Sequence, residues 1–352
     1  MLPGGGAGPL ATDRLREIEH TFYPWRSMGE QLFELARRTF DTPEFRGIEF
    51  IEAECKTIIN RVPGNYLPFR YTINPYRGCS HACSYCFARP THTYLDMNAG
   101  PDFERKIVVK VNAPAVLRRQ LAAKRWNGEG IAMGTNTDPY QRAEGRYRLM
   151  PEILRALVDF RNPFSILTKG TLILRDLDLL VEASTVTEIS TAFSIGTLDD
   201  DVWRASEPGT PHPRKRMEAV AALNDAGIPC GVLMAPVLPG ISDDPRQLRD
   251  VVRAAIDAGA THVSPILLHL RPGVREEFLP WLAERYPDLV ERYEATYRTP
   301  YGPPAVRDRL GATVSGLIRS MGGLRPGTAP PNDRWHRGGR REAEPPEQLS
   351  LV

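Results

Sequence analysis

From Tyr71 onward the chain repeats one rhythm: a short apolar run, a loop of Gly, Pro and polar residues, then an amphipathic helix. The runs are YTIN, IAMGT, FSILT, EISTAFS, CGVLMAP and HVSPILL. Between them lie APAVLRRQLAAKRW, PEILRALVDF, LRDLDLLVEA, PRKRMEAVAALNDAG and PRQLRDVVRAAIDAG, each with apolar residues at helical spacing. Short strands alternating with helices form βαβ units and a parallel sheet, open or closed into a barrel. In NDAGI and DAGATHV a Gly ends the helix directly before the next strand, as connections from helix to strand usually do. The expected fold is therefore α/β, a partial TIM-type (βα)6 barrel. KIVVKVN is an extra strand-like piece ahead of the first helix.

At 352 residues, 41% of them hydrophobic and 25% charged, the chain has enough apolar material for one sizeable core. We expect an N-terminal extension over 1–54, a barrel over 55–270, helices over 271–321 and a solvated tail over 322–352. Leu32, Phe33, Leu35 and Ala36 show helical spacing within the extension, whose first ten residues, rich in Gly, are expected to be disordered. The net charge of +2 does not by itself announce a nucleic-acid partner. No apolar run approaches the roughly 18 residues of a membrane helix, and MLPGGGAGPL lacks the regions of a signal peptide. The expected location is the cytoplasm, with no membrane partner.

Three of the five cysteines fall within NPYRGCSHACSYCFARPTH, Asn74 to His92. Cys79, Cys83 and Cys86 are spaced C-x3-C-x2-C. In the cytosol such a cluster points to metal or redox chemistry rather than disulfides. Three thiolates on a tight loop can hold three irons of a cubane cluster and leave the fourth without a protein ligand. A zinc site is the alternative, with His81 or His92 completing a Cys3His set. Burial of three small apolar residues is the blandest reading.

The C-x3-C-x2-C spacing, with aromatic Tyr85 just before the last Cys, resembles the signature of the radical S-adenosylmethionine (SAM) superfamily. The longer stretch INPYRGCSHACSYCFARPTH is similar to the subgroup related to spore photoproduct lyase and DNA-repair-photolyase-like proteins. The resemblance implies a [4Fe–4S] cluster on Cys79, Cys83 and Cys86 whose open iron chelates SAM. It implies an electron donor such as flavodoxin or ferredoxin, reductive cleavage of SAM, and hydrogen abstraction by a 5′-deoxyadenosyl radical. By position it places Tyr85 and Phe87 against adenine, Thr135, Asn136 and Asp138 at the SAM amino group, Lys169 at its carboxylate and Ser194 at the ribose. Spore photoproduct lyase uses a cysteine near the end of the second strand as hydrogen donor. Here that segment is Thr135-Asn136-Thr137, so thymine-dimer lyase activity is not what the residues imply, and Tyr140 is the alternative donor. Cys55 precedes the barrel and Cys230 starts the fifth run, on the opposite rim.

Before any family is named, polar residues already collect where the runs end, the rim at which parallel barrels carry their chemistry. Cys79 follows the first run, GTNTDPYQRAE the second, Lys169-Gly170 the third, Ser194 the fourth and PVLPG the fifth. Each has a plainer reading: an Asx turn at Thr137-Asp138-Pro139, a solvated Lys169, a strand-end hydroxyl at Ser194. EPGTPHPRKR, Glu207 to Arg216, reads equally as a substrate-facing loop contacting phosphates or as the start of a helix with a solvated basic turn.

The chain's last residues, Gln348-Leu349-Ser350-Leu351-Val352, resemble the bacterial sliding-clamp-binding motif, with Val in place of a final Phe. A solvated tail offering Gln and spaced aliphatics suits an apolar groove on a partner. The alternative is a small clasp folded back on the body. Together these readings imply an enzyme that acts on nucleic acid, DNA above all, in repair or modification. The rivals are an enzyme of the same superfamily acting on a peptide or small molecule, and a metal protein without chemistry.

Overall fold

A computed structural model describes residues 36–62 and 67–324. Two sheets carry the architecture. In the larger, six parallel strands follow one another in chain order: β4 (Tyr71–Ile73), β7 (Ile131–Met133), β8 (Phe164–Thr168), β9 (Ile189–Ser194), β10 (Cys230–Val237) and β11 (Val263–Leu267). These are the six apolar runs. Antiparallel β3 (Ile59–Arg61) pairs with β4 at the edge. The smaller sheet is β1 (Ala36–Thr39), β2 (Glu49–Ala53), β6 (Lys106–Lys110) and β5 (Tyr76–Arg77), in that order. KIVVKVN thus forms β6, outside the barrel sheet. Ala36, expected in a helix, is a strand residue; its predecessors lie outside the described residues. Fully exposed on its own, Ala36–Thr39 is held by its pairing with β2, a long-range partner that local spacing does not reveal.

The helices cover the sheet because their apolar faces leave them no other place. In Pro245–Asp257 the buried residues are Leu248, Val251, Val252 and Ala255, one stripe at helical spacing. Burying each of the larger three stabilises the fold by about 1.5–3 kcal/mol. Asp244 caps this helix by accepting from Arg246 N at 2.8 Å, and Pro245 occupies the first turn, where a missing N–H costs nothing. Helices Ala113–Leu121, Leu149–Asp159, Leu177–Val186 and Pro213–Asp225 also bury apolar residues against the sheet, and Pro213–Asp225 shares the side-chain cap and first-turn Pro. After β11 comes Pro304–Ser320, which packs on that strand and on Pro245–Asp257.

Between β11 and that last helix, Arg275–Arg285 and Val290–Thr296 form an aromatic cap. Phe278, Leu282, Tyr293 and Tyr297 share one buried cluster with Cys83, Tyr85, Leu238, Leu268 and Leu270. The exits of β10 and β11 therefore pack against the cysteine loop that follows β4, and the sheet curls into a partial barrel. No helix among the described residues is long and apolar enough to cross a membrane. The five C-terminal residues and most of the tail lie outside the described residues.

Candidate active site

The cysteine loop leaves β5 and turns back on itself. Cys79 N donates to Phe103 O at 2.9 Å, Ala82 N to Cys79 O at 3.3 Å and Cys86 N to Cys83 O at 3.3 Å. Ala82 takes the left-handed conformation, φ 53°, a strained choice for a residue with a Cβ. The result brings the thiols together. Cys86 touches both the cluster that holds Cys79 and the one that holds Cys83.

Burial pushes all three thiols above their ordinary range, and at Cys79 and Cys83 the neighbouring cysteines add to the rise. Three adjacent thiols, Cys79 and Cys83 buried and Cys86 half-buried, are poor thiolates on their own, but become good ones when a cationic centre compensates the charge. The donor set therefore fits an iron–sulfur cluster. His92 Nε2 lies 3.0 Å from Lys106 O, while its Nδ1 is buried and meets no partner among the described residues.

Three supports hold the loop in place. Arg89, 2% exposed, donates through Nε and Nη2 to Cys83 O at 3.1 and 2.8 Å and pairs with Glu104. The segment 206–209 clasps the loop's outer side, with Ser84 N on Ser206 O and Gly209 N on His81 O, both at 3.0 Å. A Cβ at Gly209 would land on Ser80 O, so only glycine allows this approach. Gln141 supplies the third support, from the loop after β7.

Beside the thiols sits a buried charge cluster. Lys169 Nζ lies 2.6 Å from Ser194 Oγ, 3.2 Å from Glu207 Oε1 and 5.6 Å from the Tyr85 ring centroid. Glu207 also accepts from the Tyr85 hydroxyl and from Arg216. Burial by itself would raise the Glu207 carboxyl, but Arg216 and Lys169 overcome that and hold it down at about 2. The structure thus brings Tyr85, Lys169 and Ser194 to the three thiols. EPGTPHPRKR is the start of a helix, capped by His212 Nδ1 on Arg214 N, with Glu207 and Arg216 buried and Arg214 and Lys215 outside. Its buried half backs the cysteine loop, and Arg214 and Lys215 face solvent.

The remaining expectations divide. Thr135 and Asn136 follow β7, half-buried, with side chains that hydrogen-bond no described residue. Asp138 does form the Asx turn, accepting from Tyr140 N at 2.8 Å, and also takes Thr168 Oγ1 and Lys169 N, both at 2.6 Å. Its Oδ2 also lies 3.4 Å from His81 Nδ1, so one carboxylate joins the β7 and β8 loops to the cysteine loop. Phe87 is 49% exposed, on the open side of the loop. Tyr140 packs beside Gly170, 2% exposed, and its hydroxyl donates to Asp176 at 3.1 Å within the Arg175–Asp176–Glu144 network. Cys230 begins β10 and is fully buried, and Cys55 packs beside Asn112, both away from the thiols. Arg89, Gln141, Glu207 and Arg216 fall inside the segments quoted above, but their supporting roles are not legible there, because the fold decides which polar side chains are enclosed.

Comparison with known proteins gives this group its chemistry. The family model of the radical SAM superfamily matches residues 73–252, from β4 through the helix after β10. The chain belongs to that superfamily and is a radical SAM enzyme, whose cofactors are a [4Fe–4S] cluster and SAM. An uncharacterized protein of Mycobacterium tuberculosis is 50% identical over 299 residues, 84% of this chain and 87% of that protein. One of Methanocaldococcus jannaschii is 32% identical over 198 residues, 56% of this chain and 70% of that protein. Spore photoproduct lyase complexed with dinucleoside spore photoproduct shares the fold, with a TM-score of 0.58 at 16% identity, covering 87% of this chain and 95% of that one. A mutant with bound AdoMet and dinucleoside spore photoproduct gives 0.59 over the same shares, again at 16% identity.

Proposed function

We propose that the three thiols hold the cluster, that the residues around Lys169 hold SAM, and that the substrate is a nucleic acid, DNA above all. When bound, the cluster and SAM supply a 5′-deoxyadenosyl radical that takes a hydrogen atom from the substrate. The protein's part is placement and exclusion of water. Lys169 offers its ammonium to the SAM carboxylate and releases the Ser194 hydroxyl to the ribose. Tyr85, fixed by Glu207, lines the adenine side, with Phe87 at the edge. Thr135 and Asn136 present uncommitted side chains to the amino group, while Asp138 sets the position of the Lys169 backbone.

The single observation that carries the nucleic-acid reading is an exposed aromatic site where β11 opens onto the rim. Tyr301, 41% exposed, meets His269 edge-on at 4.8 Å between ring centroids, and Arg271 lies 5.6 Å from its ring. Leu268 and Leu270, on either side of His269, pack in the same cluster as Cys83 and Tyr85. A stacking face with a guanidinium beside it suits an unpaired base and its phosphate. The likeness to spore photoproduct lyase supports the same class of substrate, and so does a tail resembling a clamp-binding motif. An electron donor of the flavodoxin or ferredoxin kind completes the reaction.

The test is SAM cleavage by anaerobically reconstituted, reduced protein, with and without ultraviolet-damaged oligonucleotides. Stimulation by the oligonucleotides, lost in Tyr301→Ala, is the expected result. Turnover indifferent to nucleic acid but stimulated by a peptide or small molecule would overturn the substrate class.

A further inference from the structure

Gln141, within the GTNTDPYQRAE segment after β7, is 0% exposed, and none of the cofactor roles described above falls on it. Its side-chain amide spans the backbone on both sides of Cys79. Nε2 donates to Gly78 O at 2.9 Å, and Oε1 accepts from Ser80 N at 3.0 Å, with Ser80 Oγ at 3.4 Å. One planar group thus satisfies the acceptor before the cysteine and the donor after it, which is how a strand neighbour would hold a residue. The bracket stands on a rigid base. Gln141 begins the helix Arg142–Tyr147, and Glu144 in that helix is itself fully buried. Glu144 accepts from Tyr76 Oη at 2.5 Å, Leu149 N at 3.0 Å, Met150 N at 3.1 Å and Arg175 Nη2 at 2.6 Å.

The same short loop reaches the other half of the site. Three residues before Gln141, Asp138 holds Thr168 and the Lys169 backbone, and Thr137 Oγ1 donates to Tyr76 O at 3.2 Å. The segment from Thr135 to Gln141 is therefore one rigid piece that touches the cysteine loop at one end and the Lys169 loop at the other.

We propose that Gln141 is a positioning residue, which fixes the direction of the Cys79 thiol and links it mechanically to the SAM-facing loops. The inference rests on the reading of Cys79 as a cluster ligand. Removing the amide leaves Gly78 O and Ser80 N buried without partners, and the chain relieves that by letting the Cys79 segment shift. Loss of a group that orients a metal ligand typically weakens retention of the metal roughly 10- to 100-fold.

A control exists. Gln120 Oε1 accepts from Ile58 N and Ile59 N at 2.8 and 3.1 Å, a half-buried amide that satisfies backbone donors away from the thiols. The experiment compares iron loss to a ferrous chelator from anaerobically reconstituted wild type, Gln141→Leu, Gln141→Glu, Gln120→Leu and Cys79→Ala, with and without SAM. Thermal midpoints and the electron paramagnetic resonance spectrum of the reduced cluster are recorded alongside. We expect both leucine variants to lose thermal stability, but only Gln141→Leu to release iron roughly tenfold faster or more and to show an altered spectrum with SAM. Gln141→Glu keeps the acceptor for Ser80 N and is expected to fall between the two. If Gln141→Leu does not fold, Gln141→Glu decides: iron release at the wild-type rate overturns the proposal. Equal release from Gln141→Leu and Gln120→Leu overturns it as well. A wild type that binds no iron, or a Cys79→Ala protein that keeps it as well as wild type, would instead overturn the ligand reading.

Discussion

At the scale of single residues, the site is a balance between buried charges. Glu207 is surrounded by Lys169, Arg216 and the Tyr85 hydroxyl, and its folded pKa of about 2 lies below the ordinary value of 4.5. A carboxyl held down in the folded state contributes stability that is complete above about pH 4.5 and fades as pH falls toward 2. The urea midpoint gap between wild type and Glu207→Gln is therefore expected to be constant from pH 7 to about 5 and to shrink below that. A gap that widens on acidification would contradict the assignment. Lys169 gives a sharper test: loss of one charge-assisted hydrogen bond, about 1.5–3 kcal/mol, corresponds to roughly a 10- to 100-fold rise in the Kd for SAM in Lys169→Met. Equilibrium dialysis of the reconstituted protein measures it. Cys79, Cys83, Cys86, Lys169 and Ser194 were legible in the chain because motif spacing and strand ends mark them. Glu207 and Gln141 were not, since their partners lie 122 and 63 residues away and only the fold decides which polar groups are enclosed. Tyr140 shows the converse, a residue near the rim in sequence whose hydroxyl the fold directs to Asp176.

At the scale of elements, the loops after β4, β7, β8 and β9 act as one unit, and glycine positions separate local strain from damage to the site. Gly227, φ +81°, ends a helix with nothing within 4 Å of an added Cβ. Gly227→Ala is expected to cost about 1–2 kcal/mol of left-handed strain and to leave the cluster untouched. Gly209→Ala drives a Cβ into Ser80 O and is expected to cost a comparable 1–3 kcal/mol, roughly, as overpacking. It should also strip iron, because the loop it displaces holds His81 and, through Ser206, Ser84. Denaturant midpoints beside iron content distinguish the two; equal iron retention would refute the clasp. The strands and helices of this unit were legible from alternation alone. β1, β3 and β5 were not, because short edge strands owe their conformation to a partner rather than to their own spacing.

At the scale of the molecule, the barrel sheet supplies a rim, the second sheet anchors the cysteine loop through β5, and the aromatic cap closes over Cys83. Phe278 is fully buried between Trp281 and Tyr293, with ring centroids at 5.0 and 5.7 Å. Phe278→Ala is expected to cost about 3–5 kcal/mol and to expose the thiols to oxidation, measured as faster bleaching of the cluster in air. If the tail serves a partner, removing residues 348–352 abolishes binding to a bacterial sliding clamp and leaves SAM cleavage unchanged. Retained clamp binding would mean that the motif is not used. The central claim is tested most directly by 5′-deoxyadenosine formation from SAM in anaerobically reconstituted, reduced protein, with Cys83→Ala beside it. Product from wild type alone is the expected result. A protein that binds zinc and no iron, or product formed equally by Cys83→Ala, would contradict it.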